Sequence, residues 1–240
     1  MQSMKGAQLI KNSLRGKDLK AYEKLEKDCN TTDSESVTIS IDDLEQALGA
    51  SQESFSSIGE LLEKEMVNER TLYITEEITL ETINHIIMLI HKYNRDDFGV
   101  SVEERLPIML YIDTQGGELY RGFSLIGAIE NSITPVVGVV EGGICMSMGI
   151  PLLLSCHYRM VSRHATLLYH ELRAPMDVQT LREIQNTTRH YEILQDKMDG
   201  YIVENSSIPL EVLQEKRKMN LDWYMTIEEV EKYGFANEIL

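Results

Sequence analysis

Short apolar runs that alternate with helical periodicity restrict the folds open to this chain, and they are sharpest around residues 135–154. The run PVVGVV at 135–140 reads as a buried strand, and IPLLL at 150–154 is too apolar for a surface loop. Between them lies EGGICMSMG at 141–149, which puts Ser147 at the start of a helix with glycines on both sides. Glycine lets backbone come close to a substrate, and a helix start offers unpaired N–H donors that favour developing negative charge. On this stretch alone, a tight strand-to-helix turn with a small residue at a packing contact accounts for the pattern equally well.

The same alternation continues on both sides. Residues 70–74 (RTLYI), 108–112 (IMLYI), 158–162 and 166–169 read as strands. Helical spacing is carried by Ile58, Leu61, Leu62 and Met66, by Ile78, Ile83, Ile86, Ile87 and Ile90, and by Phe123, Ile126, Ile129 and Ile133. A long helix is expected over 178–204, and another opens at Pro209. Thr226-Ile227-Glu228-Glu229 is a capping box for a last helix closed by Gly234. Residues 94–105 are charged and irregular and read as a surface loop. Strands alternating with helices predict an α/β fold with mostly parallel strands. Residues 1–50 carry only weak amphipathic spacing and read as an N-terminal extension, helical or partly disordered, ahead of a domain at 51–240.

Charge and cysteine content narrow the function classes. A net charge of −16 argues against nucleic acid as the principal partner, because phosphate binding needs a basic surface. Three cysteines, Cys29, Cys145 and Cys156, show no metal-ligand spacing and suggest a reducing compartment, so a cytoplasmic protein is expected. No apolar run reaches the length of a membrane span, and the first residues lack a signal-peptide core. His85 and His91 have no cysteine or acid at ligand spacing, and no cofactor is called for.

Two glycine turns, Gly116-Gly117 and Gly142-Gly143, each follow a strand, and loops after parallel strands gather at one end of a sheet. His170 ends a strand, and Asp222 stands between Leu221 and Trp223, an acid in an apolar neighbourhood. A serine hydroxyl needs a base to take its proton, and that base needs an acid to hold its tautomer. A strand-end histidine and an N-cap aspartate would explain the same two residues without any chemistry.

From about residue 70 onward the chain resembles the ClpP family, the proteolytic subunit of the ATP-dependent Clp protease. The resemblance rests on YIDTQGG at 111–117, GICMSMG at 143–149, Tyr169-His170-Glu171, and Asp222-Trp223-Tyr224-Met225-Thr226 followed by Lys232-Tyr233-Gly234. It implies a ClpP/crotonase-like fold of repeated β-β-α units with a protruding long helix. It also implies Ser147 as nucleophile, His170 as general base, Asp222 as orienting acid, and the N–H groups of Gly117 and Met148 as an oxyanion hole.

The activity so implied is serine endopeptidase cleavage of unfolded polypeptides inside a ring, either a homo-oligomer or a mixed ring with related subunits, served by an AAA+ unfoldase. The alternatives are a catalytically silent structural subunit and a crotonase-type acyl-CoA hydratase or isomerase, whose acid and base would be glutamates such as Glu141 and Glu171. Two departures from the family stand out. Leu172-Arg173-Ala174-Pro175-Met176 replaces a glycine-rich substrate-pairing strand, and Leu221 replaces an arginine before the acid.

Overall fold

The computed structural model describes residues 64–173, 178 and 180–240, which fall within a compact unit running Leu62–Leu240. The extension expected over 1–50, the start of the domain and the Ala174-Pro175-Met176 departure lie outside the described residues.

Two sheets organise the unit. Strands β1 (Thr71–Ile74), β2 (Ile108–Ile112), β3 (Val136–Val140), β5 (Tyr158–Val161) and β8 (Glu238–Ile239) lie side by side in that order, all parallel. The second sheet has the order β4 (Ile144–Met146), β6 (Thr166–Tyr169), β7 (Trp223–Met225). Here β4 and β6 run parallel, and β7 returns antiparallel to β6. The strong apolar runs became the inner strands of the large sheet for a physical reason. A parallel strand covered on both faces needs a nearly continuous apolar sequence. In β3, Val136, Val139 and Val140 are buried, and in β2 the buried residues are Ile108, Leu110 and Ile112. Each such side chain contributes roughly 1.5–3 kcal/mol by leaving water.

Six helices of four residues or more have both ends within the described residues. They are α1 (Leu80–Asp96), α2 (Leu119–Glu130), α3 (Gly149–Ser155), α4 (Leu181–Glu204), α5 (Leu210–Lys218) and α6 (Ile227–Lys232). Thr79, Thr180 and Thr226 close reciprocal capping boxes at the starts of α1, α4 and α6, so the box expected at Thr226 is present. Helix α4 begins at Leu181 and ends at Glu204, as the spacing predicts for its C-terminal end. It buries Leu194, Met198 and Ile202, while Leu181 and Ile193 nearer its N-terminus stay exposed.

Two expectations give way. Residues 94–105 are not all surface loop: α1 continues to Asp96, and Asp97 is buried. Two nitrogens of Arg70 reach the Asp97 carboxylate at 2.6 and 2.7 Å, and the Thr134 hydroxyl donates to it at 2.6 Å. These partners compensate the burial that the charge pattern argued against. Nor does Ser147 begin a helix directly. Residues Ile144–Met146 pair as β4, Ser147 turns, and Met148 caps the seven-residue α3.

Candidate active site

The small sheet brings three predicted residues to one edge. Ser147 follows β4, His170 follows β6, and Asp222 precedes β7. Because β7 is antiparallel, its pairing Tyr169↔Trp223 extends by one step to set His170 opposite Asp222. The parallel pairing Met146↔Leu168 likewise carries Ser147 to the same end, where its N–H donates to the Leu168 carbonyl at 2.8 Å. The strand order β4-β6-β7 therefore puts the histidine between the serine and the aspartate.

Ser147 has a left-handed backbone, φ 52°, which is uncommon for a residue with a side chain. The surroundings enforce it. Thr114 accepts from the Met146 N–H at 3.0 Å through its carbonyl and donates its own N–H to the Ile144 carbonyl at 2.8 Å. A carboxylate oxygen of Asp113 accepts from the Ile144 N–H at 2.9 Å. The loop after β2 is thereby tied to β4. At Gly116, φ 100°, a Cβ would stand 2.7 Å from the Ser147 Cβ and 3.0 Å from the Met148 nitrogen, so only glycine admits this approach. Asp113 and Thr114 were not singled out from the sequence. Their position directly after a strong strand, beside the glycine pair, was the available signal.

Gly117 and Met148 donate their N–H groups to no acceptor among the described residues, in contrast to Gly116, whose N–H is taken by the Thr114 hydroxyl at 3.1 Å. The Met148 side chain is buried and packs where α2 has Gly122 instead of a larger residue. Helix α3 is too short for its dipole to add much, so the local donors carry the electrostatic effect. Cys145 is buried two residues before Ser147, and burial raises its thiol well above its ordinary range. Burial likewise pushes Cys156 up to about 12, so neither thiol competes as a nucleophile.

His170 is half-buried, and its Nδ1–H donates to the Glu171 carbonyl at 2.5 Å. A carbonyl only accepts, so Nδ1 carries a proton; in the neutral ring this is the tautomer whose Nε2 lone pair a general base toward serine requires. Asp222 is exposed, not held in an apolar neighbourhood as the sequence suggested. Its two oxygens accept from Arg173 Nη2 at 2.8 and 2.9 Å. Backbone register thus sets His170 and Asp222 side by side, while their side chains are engaged elsewhere. A cleft of about 580 Å³ is lined by Ser147 and His170 together with Glu77, Gly117, Tyr120 and Arg173.

Behind the histidine lies a buried network that sequence reasoning missed. Asp199 on α4 accepts from the Tyr169 hydroxyl at 2.7 Å, Gln195 at 2.8 Å and Arg217 at 2.8 Å. Gln195 also accepts the Leu172 N–H at 2.8 Å, which fixes the chain just after His170. Burial, then the Asp199 charge, raises the Tyr169 hydroxyl far above its ordinary range, so it stays a donor. Among the described residues no group of three or more His, Cys, Asp or Glu could hold a metal ion, and no helix is long and apolar enough to cross a membrane.

The profile of the Clp protease family matches residues 56–240. An ATP-dependent Clp protease proteolytic subunit of Pinus thunbergii is 24% identical over 176 residues, covering 72% of this chain and 85% of its own. Proteins of the same description from Oryza sativa subsp. indica and Triticum aestivum are each 27% identical over 185 residues, covering 72% of this chain and 76% of theirs. These relatives are Clp subunits of plants, and they count against the cytoplasmic expectation. Few cysteines indicate a reducing compartment, but that property does not distinguish one reducing compartment from another.

Proposed function

The chain belongs to the Clp protease family, and from that premise we propose that its serine endopeptidase chemistry is carried by Ser147 as nucleophile, His170 as general base and Asp222 as orienting acid. The observation that carries the assignment is the order of the small sheet, with the base strand between the strand that leads to the serine and the strand that the acid precedes. In the reaction, His170 Nε2 takes the Ser147 proton as Oγ attacks the peptide carbonyl, and returns it to the leaving amine. The N–H groups of Gly117 and Met148 donate to the oxyanion, whose charge develops in the transition state. Asp222 accepts from His170 Nδ1–H and stabilises the imidazolium, which the neutral Glu171 carbonyl does less well.

The fold is read as repeated β-β-α units. Strands β3 and β4, then β5 and β6, each give one strand to either sheet before α3 and α4 follow. The exposed Leu181 and Ile193 on α4 favour a protruding helix that packs against another subunit, in a ring fed by an AAA+ unfoldase. Covalent labelling tests the assignment. A fluorophosphonate applied to the assembled oligomer should modify Ser147 once per chain, and Ser147→Ala and His170→Ala should each abolish it. An intact ring that stays unlabelled beside a reacting control peptidase would make the chain a silent structural subunit.

A further inference from the structure

We propose that Arg173 is a specificity-determining residue: it holds Asp222 in the resting chain and is drawn off by a carboxylate on the bound peptide, which releases Asp222 to His170. The inference rests on the assignment of Ser147, His170 and Asp222 made above.

Three observations converge on it. First, the two groups that should bond to each other are both diverted, Asp222 to Arg173 Nη2 and His170 Nδ1 to the Glu171 carbonyl. Second, Arg173 borders two recesses at once, the small one that contains Asp222 and the cleft that contains Ser147. Its guanidinium therefore needs only a swing of its own side chain to leave one for the other. That side chain is 72% exposed, so little packing opposes the swing. Third, the ion pair is held by one nitrogen at a wet surface, the setting in which such pairs are weakest and most readily exchanged.

The neighbouring charges select the same end of the cleft. Arg217 lines the small recess too, but it is committed to the buried Asp199 at 2.8 Å. Glu77 lies over Gly117, and Glu118, another lining residue, is 3.4 Å from Arg121. Glu171 also borders the small recess, 3.9 Å from Arg217. Near His170, Arg173 is therefore the exposed cation that a peptide carboxylate meets, whereas near Gly117 it meets Glu77 and Glu118. Once Arg173 turns to it, Asp222 can accept the Nδ1–H that the Glu171 carbonyl gives up. Substrate charge then sets how completely the catalytic unit is formed, and the effect falls on kcat as well as KM.

The test uses the assembled full-length oligomer and three quenched peptides with one scissile core. One is neutral and amidated, one is amidated with a glutamate side chain, and one is neutral with a free C-terminal carboxylate. At least one carboxylate-bearing peptide should turn over about 1.4- to five-fold faster than the neutral one, the span of exposed ion-pair strengths. Which of the two responds identifies the source of the carboxylate. Arg173→Gln should bring that kcat ratio to one, and Arg173→Lys should keep part of it. Equal rates in the wild-type oligomer, or an unchanged ratio in Arg173→Gln, would overturn the proposal. Fluorophosphonate labelling of the same samples separates the two readings. Labelled enzyme with an unmoved ratio removes only the role of Arg173, whereas absence of both labelling and cleavage removes the catalytic assignment and this inference together.

Discussion

The chain contains two arginine–aspartate pairs of the same chemistry and opposite use. In Arg70–Asp97 the side chains are 14% and 5% exposed, two nitrogens meet two oxygens, and Thr134 adds a third hydrogen bond. In Arg173–Asp222 they are 72% and 41% exposed, and one nitrogen spans both oxygens. The first pair joins the start of β1 to the end of α1, where burial leaves water little room to replace a lost partner. The second sits at the edge of the candidate site, where water or a ligand can take either partner's place. Burial, not residue identity, decides whether such a pair is architecture or a movable part.

Removing the acid from each pair should separate the two uses. The largest effect is expected at the exposed pair: Asp222→Ala should lower kcat of the assembled oligomer by about 10⁴-fold, as loss of an orienting acid does elsewhere. Its thermal midpoint should stay close to that of the wild type. A loss of fold with activity retained per folded molecule would reverse the comparison.

Asp97→Ala should do the opposite, costing about 3–5 kcal/mol of stability because it leaves the Arg70 charge buried without its partner. Chemical denaturation reads this directly. The pair also has an acid signature. The Arg70 hydrogen bonds, working against burial, hold the Asp97 carboxyl below its usual range. Its stabilisation is therefore complete above the unfolded-state pKa near about 4 and is lost as pH falls from there through the lower folded value. Asp97→Asn should flatten the fall in stability over that acid window, and a slope equal to that of the wild type would exclude the linkage.

The smallest effect belongs to Arg173→Gln, which should change unfolding free energy by no more than about 1 kcal/mol. A larger loss would place this pair with the first.

The sequence displayed these features unequally. Strands β2 and β6 were legible residue for residue, because Ile108–Ile112 and Thr166–Tyr169 are apolar runs closed by polar turns. Strand β4 was not. Ile144–Met146 has only three residues, and its pairing is supplied by β6 and by Thr114, both distant in sequence. Strands β7 and β8, of three and two residues, owe their state to β6 and β5. Ser147, His170 and Asp222, the proposed catalytic residues, could be singled out because each adjoins a strand and carries a recognisable local motif. Asp97, Asp199 and Arg173 could not, since each acquires its meaning from a partner at least 18 positions away. Charge in the sequence marked 94–105 as solvent-facing, whereas long-range pairing buried its Asp97.

The antiparallel strand of the small sheet has a temporal consequence. On the ribosome, β4 and β6 are made first, and β7 emerges only after α4 and α5. On the proposed assignment, a nascent chain already bearing its serine and histidine has no third strand to place the aspartate. Since chain synthesis is slow compared with local folding, that interval is long on the molecule's own clock. On that assignment, the order of synthesis itself keeps an unfinished peptidase idle beside the nascent polypeptides around it.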